Sequence, residues 1–192
     1  MDASQTNALL IEFQGGNKEA FGKLYELYIR PIYNFVYYKT HHRETAEDIT
    51  SQVFMKAYRA ATSFEPEKGT FQAWLYQIAR HAVIDHYRAA RPTKDIEDVW
   101  DLSGKENIVR DTDNKILLEK VEKYLREFSP EQRDIIILRV WQELSYTEIA
   151  EVVGKSEASC KMSFSRSMKK LREAMPDAML VFIALIILKN KI

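Results

Sequence analysis

The sequence predicts an all-α protein of two helical domains joined by an acidic linker, and three observations carry that prediction. Only six Gly and five Pro punctuate 192 residues, and long stretches consist of Ala, Leu, Glu, Lys and Arg, the strong helix formers. Apolar residues recur at helical rather than alternating spacing, with no strand or hairpin signal. The periodicity lapses from Arg91 to about Thr112, and from Lys94 to Asp113 three cations (Lys94, Lys105 and Arg110) stand among seven acids (Asp95, Glu97, Asp98, Asp101, Glu106, Asp111 and Asp113). A chain of this length can bury a real core as one domain or as two small ones.

The first half reads as a helical bundle. Leu9, Leu10 and Phe13 open a helical pattern, Gly15-Gly16-Asn17 breaks it, and Phe21, Leu24, Tyr25 and Tyr28 resume it. Pro31 marks a boundary or kink before Ile32, Phe35 and Val36. A third segment, AEDITSQVFMKAYRA, places Ile49, Val53, Phe54 and Ala57 on one face, with Glu44, Glu47 and Asp48 near its start, where the helix dipole favours acids. Ser63 to Gly69, SFEPEKG, reads as a loop. The fourth helix, FQAWLYQIARHAVIDHYRAAR, ends before Pro92. Its Phe71, Leu75, Ile78, Ala79 and Ala82 form the stripe that a bundle buries, and Trp74 is assigned to the same packing. Gln77, Arg80, His81, Ile84 and Arg88 fall on another face, and Tyr87 stays open between the two.

The linker is not pure solvent spacer, since it holds Ile96, Val99, Trp100, Leu102, Ile108 and Val109. The second half opens with a helix around Ile116 to Glu127. Two capping signatures follow: Ser129-Pro130-Glu131-Gln132, with a capping Ser and Pro at the first helical position, and Ser145-Tyr146-Thr147-Glu148, a capping box. The helix from Tyr146 ends near Val153, Gly154-Lys155-Ser156 turns the chain, and a longer helix runs from about Glu157 to Ala174. That helix carries Lys161, Arg166, Lys169, Lys170 and Arg172 against Glu157 and Glu173. Helix, short Gly turn and basic helix is the helix-turn-helix layout. In it Ser156, Glu157, Ser159, Lys161 and Met162 would face base edges, and Arg166, Lys169, Lys170 and Arg172 would hold phosphates. An ordinary helical hairpin with a solvated basic face has the same spacing, and spacing leaves both open.

Other chemistries find little support. Formal net charge is zero, which argues against nonspecific coating of nucleic acid, although the charge is segregated along the chain. The single Cys160 excludes an internal disulfide framework and a Cys-rich zinc site, and reads as a small buried residue. The N-terminus has no basic start followed by an apolar run, so the chain reads as cytoplasmic. His41 and His42 are adjacent and His81 and His86 are five apart, whereas two ligands on one helix face prefer spacings of three or four. No Gly-rich phosphate loop and no Ser, His and Asp set stands out. No catalytic residue, metal site or cofactor is expected. After Pro176, Ala178 to Leu188 is an apolar run of eleven residues, shorter than the roughly 20 needed to span a bilayer. Packing of this 176–192 tail on protein is favoured over membrane contact.

Two blocks taken together point further. AEDITSQVFMKAYRA followed by GTFQAWLYQIARHAVIDHYRAAR, and then LSYTEIAEVVGKSEASCKMSFSRSMKKLRE, resemble the extracytoplasmic-function sigma factors of bacterial RNA polymerase. The likeness covers about Phe21 to Arg91 and Leu117 to Glu173. It implies a region 2 domain over residues 1–91, a linker over 92–113 and a region 4 helix-turn-helix domain over 114–175. In the family the AED-x-x-x-x-V-F-x-K-A helix docks on core polymerase; Ala46, Glu47, Asp48, Val53, Phe54, Lys56 and Ala57 match it. The resemblance therefore implies polymerase contacts at Asp48, Gln52, Phe54, Lys56 and Arg59, with Val53, Phe54 or both in the core. The loop Ala61 to Thr70 and the helix after it correspond to the element that captures unstacked bases at the minus 10 element, which implies Phe64, Lys68, Arg80, His81, Tyr87 and Arg88 as contacts. Aromatic planes and cations suit that task. Region 4 reads the minus 35 element, implying contacts from Ser156, Glu157, Ser159, Lys161, Met162, Arg166, Lys169 and Lys170. Here Ser159-Cys160-Lys161 and Arg166-Ser167-Met168 depart from the family pattern, so Lys161 and Arg166 carry over and a second late Arg does not. The implied partners are core RNA polymerase, promoter DNA and an anti-sigma factor. A helix-turn-helix regulator acting without polymerase, or an adaptor binding polymerase or an anti-sigma factor, are the alternatives.

Overall fold

Residues 3–90, 124–125 and 127–174 are described by the computed structural model, and they contain helices and turns with no strand. The linker and tail named above, and most of the expected helix around Ile116 to Glu127, lie outside the described residues. The chain divides into two units, residues 1–105 and 106–192, at a point inside the acidic stretch.

The first unit packs α1 (Ala3–Gln14), α2 (Lys18–Thr40), α3 (Arg43–Ala60) and α4 (Phe71–Ala90), with 3-10 turns at Ala61–Ser63 and Pro66–Lys68 between the last two. The Gly break is real: Gly16 takes φ +101°, which favours glycine. The Asn17 side chain then caps α2 by accepting from the Glu19 N–H at 3.2 Å. Pro31 is no boundary, because α2 runs through it. A mid-helix proline costs about 3 kcal/mol, but Ile32, Phe35 and Val36 beyond it are all fully buried. At roughly 2 kcal/mol each, those side chains outweigh the proline.

The α2–α3 junction explains both early histidines. His41 ends α2 in the left-handed region, its N–H donating to the Tyr37 carbonyl at 2.8 Å, and His42 Nδ1 accepts from the Thr45 N–H at 3.2 Å to cap α3. Edge-on ring pairs hold the core together: Tyr28 on Phe71 at 5.6 Å and Phe35 on Tyr76 at 5.3 Å. The loop expected over 63–69 is more ordered than its composition implied, since most of it is the second 3-10 turn and the end of the first.

In the second unit, α5 (Pro130–Val140) and α6 (Tyr146–Val153) begin where the capping signatures put them, and α7 (Glu157–Ala174) begins after the Gly turn. Both boxes are reciprocal: Ser129 with Gln132, and Ser145 with Glu148. Gly154 ends α6 at φ +71°. Phe128, Ile136, Val140 and Leu171 form a core cluster, flanked by Tyr124, Leu125, Trp141, Phe164 and Met168. Cys160 is fully buried.

Candidate functional site

Three helical faces gather the residues singled out above. On α3, Asp48, Gln52 and Arg59 are exposed, with Lys56 exposed beside them. Steps of four and seven residues place Asp48, Gln52 and Arg59 on one stripe. Met55, half exposed at 53 %, falls between Gln52 and Arg59 on that stripe and supplies its apolar centre. Val53 and Phe54 are both buried, so Phe54 is not on the exposed stripe: its ring packs edge-on against Tyr25 at 4.8 Å. Beside the stripe, a groove of about 580 Å³ between α2 and α3 has Tyr25, Ile29, Tyr33, Thr50, Phe54 and Met55 in its lining. An acid–base pair, Arg43 with Glu47 at 2.7 Å, stands at the α3 start.

The second face is the 61–70 loop with α4. Phe64 is half-buried, its ring 5.7 Å from Phe71 and 5.2 Å from Trp74. Trp74 is itself half-buried against Phe71, 5.4 Å away, in keeping with its packing assignment. Lys68 is exposed and pairs with Glu65 at 2.8 Å. Further along α4, His81 and Arg88 are exposed and Arg80 is half-buried. Tyr87 separates from this set: its hydroxyl donates to the Lys39 carbonyl at 3.1 Å. Burial pushes the phenol above its ordinary range. Tyr87 ties α4 to α2 through its hydroxyl. Tyr76 is fully buried.

The third face belongs to α7. Cys160, Ser167 and Leu171 are its buried residues, while Ser156, Glu157, Ser159, Lys161, Met162, Arg166, Lys169 and Lys170 are all exposed. Ser156 also works locally, its hydroxyl accepting from the Ser159 N–H at 3.2 Å. Glu157 is held from two sides, by Lys161 at 2.6 Å and by the Thr147 hydroxyl of α6 at 3.1 Å. The hydrogen bond from Lys161, followed by that from Thr147, keeps its carboxyl below the usual range. Two cations approach the Tyr146 ring, Arg139 at 4.7 Å and Lys161 at 5.8 Å from its centre. Lys170 reaches both the carboxylate of Glu127 at 3.6 Å and the ring of Phe128 at 5.1 Å.

Sequence reasoning passed over three residues of these faces. Met55 has a legible signal, since it completes the Asp48 stripe. Thr147 also has one, as it sits in the first turn after the capping Ser145. Gln14, whose amide reaches carbonyls 47 and 50 residues away, has none. Among the described residues, no group of His, Cys, Asp and Glu is arranged to hold a metal ion, and no helix is long and apolar enough to cross a membrane.

Known proteins share this layout. The Sigma-70 region 2 family matches residues 24–93 and the Sigma-70 region 4 family matches residues 118–171. The ECF RNA polymerase sigma factor BldN of Streptomyces coelicolor is 33% identical over 183 residues, covering 92% of this chain and 68% of that protein. Among solved structures, CnrH in complex with the cytosolic domain of CnrY aligns with a TM-score of 0.68 at 21% identity, over 90% of this chain and 97% of that one, a likeness of fold. The sigma factor RpoE from Bartonella quintana, in complex with the anti-sigma factor NepR, aligns with a TM-score of 0.62 at 26% identity, over 80% of this chain and 94% of that one. With a region 2 match over the α2–α4 bundle, a region 4 match over the helix-turn-helix and a relative that matches across nearly the whole chain, the protein belongs to the extracytoplasmic-function group of sigma-70 factors, alternative sigma factors that direct RNA polymerase.

Proposed function

We propose that this sigma factor divides its work among the three faces. The α3 stripe of Asp48, Gln52, Met55 and Arg59, with Lys56, contacts core polymerase. The 61–70 loop receives unstacked bases of the minus 10 element, with Lys68, Arg80, His81 and Arg88 tracking the strand's phosphates. The outward side of α7 enters the major groove at the minus 35 element, where Ser159, Lys161 and Met162 face bases and Arg166 and Lys169 face phosphates. The observation that carries this reading is the one-sidedness of α7: it packs through Cys160, Ser167 and Leu171 and leaves every expected contact exposed.

The protein works in the cytoplasm as a binding factor, without catalysis or cofactor of its own, and its partners are core polymerase and promoter DNA. Because RpoE is solved with an anti-sigma factor, an anti-sigma partner that covers the α3 stripe is part of the proposal. Runoff transcription with purified core polymerase on genomic fragments tests it. The expected result is a set of discrete promoter-dependent transcripts, reduced by Arg166→Ala and by a paired His81→Ala, Arg88→Ala change. Transcripts insensitive to both would overturn the assignment of faces.

A further inference from the structure

The N-terminal helix α1 precedes the region 2 match, which starts at residue 24, and nothing assigned so far uses it. Its last residue reaches the loop. Gln14 Nε2 donates to the Ala61 carbonyl at 3.0 Å and to the Phe64 carbonyl at 2.8 Å. Those carbonyls stand at the two ends of the Ala61–Ser63 turn, which the Phe64 N–H closes on the same Ala61 oxygen at 3.3 Å. A primary amide has two hydrogens on one nitrogen, so a single side chain grips both ends of the turn.

The grip rests on a fixed base. Leu10 is fully buried, Phe13 packs its ring 5.1 Å from Phe21 and 5.3 Å from Tyr58, and Thr6 is hydrogen-bonded to the Tyr28 hydroxyl at 3.0 Å. Helix α1 ends at Gln14, and Gly16 turns the chain away at φ +101°, leaving the amide at the helix terminus facing the loop. Beyond the turn, the Phe64 ring leans on Phe71 and Trp74. The backbone of Phe64 is held from α1 and its side chain from α4.

We infer that Gln14 is a positioning residue for minus 10 strand capture, holding the 61–70 loop ready for an unstacked base. This rests on the reading that the loop is the base receiver. Pre-ordering a loop removes an entropic cost that DNA binding would otherwise bear. Two hydrogen bonds of ordinary net strength, partly exposed to water, correspond to about a tenfold change in the population of the ordered loop.

The test uses holoenzyme assembled with core polymerase and a single-stranded oligonucleotide carrying the nontemplate minus 10 strand of a promoter found by runoff transcription. Gln14→Leu keeps the volume and removes both donors; Gln14→Glu places a carboxylate against two carbonyls. Phe64→Ala and Lys68→Ala serve as loop controls. Expected are about tenfold weaker oligonucleotide binding for Gln14→Leu and at least as large a loss for Gln14→Glu, with core polymerase affinity and minus 35 duplex binding unchanged. If Gln14→Leu binds the oligonucleotide normally while the loop controls weaken it, the loop reading stands and the role of Gln14 is overturned. If the loop controls also bind normally, the loop reading fails and takes this inference with it. A parallel fall in polymerase affinity would reduce Gln14 to a bundle-stabilising residue and overturn the inference as well.

Discussion

Helices α4 and α7 are both assigned to DNA, yet they withhold opposite resources. In α4 the aromatic residues are occupied: Tyr76 and Phe71 are buried, Trp74 leans on Phe71 and Phe64, and the Tyr87 hydroxyl is bound to a carbonyl of α2. What α4 presents is basic and polar, chiefly His81 and Arg88. In α7 the lysines are the occupied groups. Lys161 pairs with Glu157 at 2.6 Å, Lys169 with Glu173 at 3.9 Å and Lys170 with Glu127 at 3.6 Å. Arg166 and Arg172 are its cations with no ion pair among the described residues. The sequence pattern of a helix tells which way a side chain points, while its availability depends on neighbours that the pattern does not contain.

The largest expected effect breaks the α4 side of this contrast. Phe71→Ala removes the ring shared by Tyr28, Phe64 and Trp74 and should destabilise the first unit by about 3–5 kcal/mol, read by denaturant melting. On α7, Arg166→Ala should weaken promoter binding across sequences and lower the salt slope of log affinity by about 1. Lys169→Ala should do less, because Glu173 already counters that charge. A salt titration of duplex binding separates the two.

The helices behind this contrast are largely legible in the sequence, the occupancy of their side chains is not, and both have physical causes. The starts of α5 and α6 were readable because a capping box is a local signal, complete within four residues, and the start of α7 because a Gly turn precedes it. Pro31 does not end α2 because its local cost is outweighed by burial of the residues that follow it. Phe54 and Tyr87 are apolar or amphipathic at positions between two faces, and their placement was decided by Tyr25 and by the Lys39 carbonyl, neither visible in a local pattern. Gln14 reads as an ordinary polar residue ahead of a Gly break.

Smaller effects sharpen the same comparison. Tyr87→Phe should lower stability by about 1 kcal/mol and leave binding of the minus 10 oligonucleotide unchanged, whereas His81→Ala with Arg88→Ala should do the reverse. Glu157→Gln should raise nonspecific DNA affinity and steepen its salt slope by up to about 1, since it removes an acid from a phosphate-facing helix. The smallest effect is in pH. With its carboxyl held below the usual range by Lys161 and Thr147, Glu157 contributes stability that is present above the unfolded carboxylate pKa and lost as pH falls through the lower folded value. The acid limb of a melting-temperature profile should therefore be shallower in Glu157→Gln than in the parent protein.

Permanganate and nuclease footprinting of holoenzyme on one promoter tests the division of labour most directly. The account predicts that Arg166→Ala loses upstream protection at the minus 35 element, while His81→Ala with Arg88→Ala keeps that protection and loses reactive, unpaired thymines at the minus 10 element. Loss of both signals together in each variant, with polymerase binding intact, would contradict it.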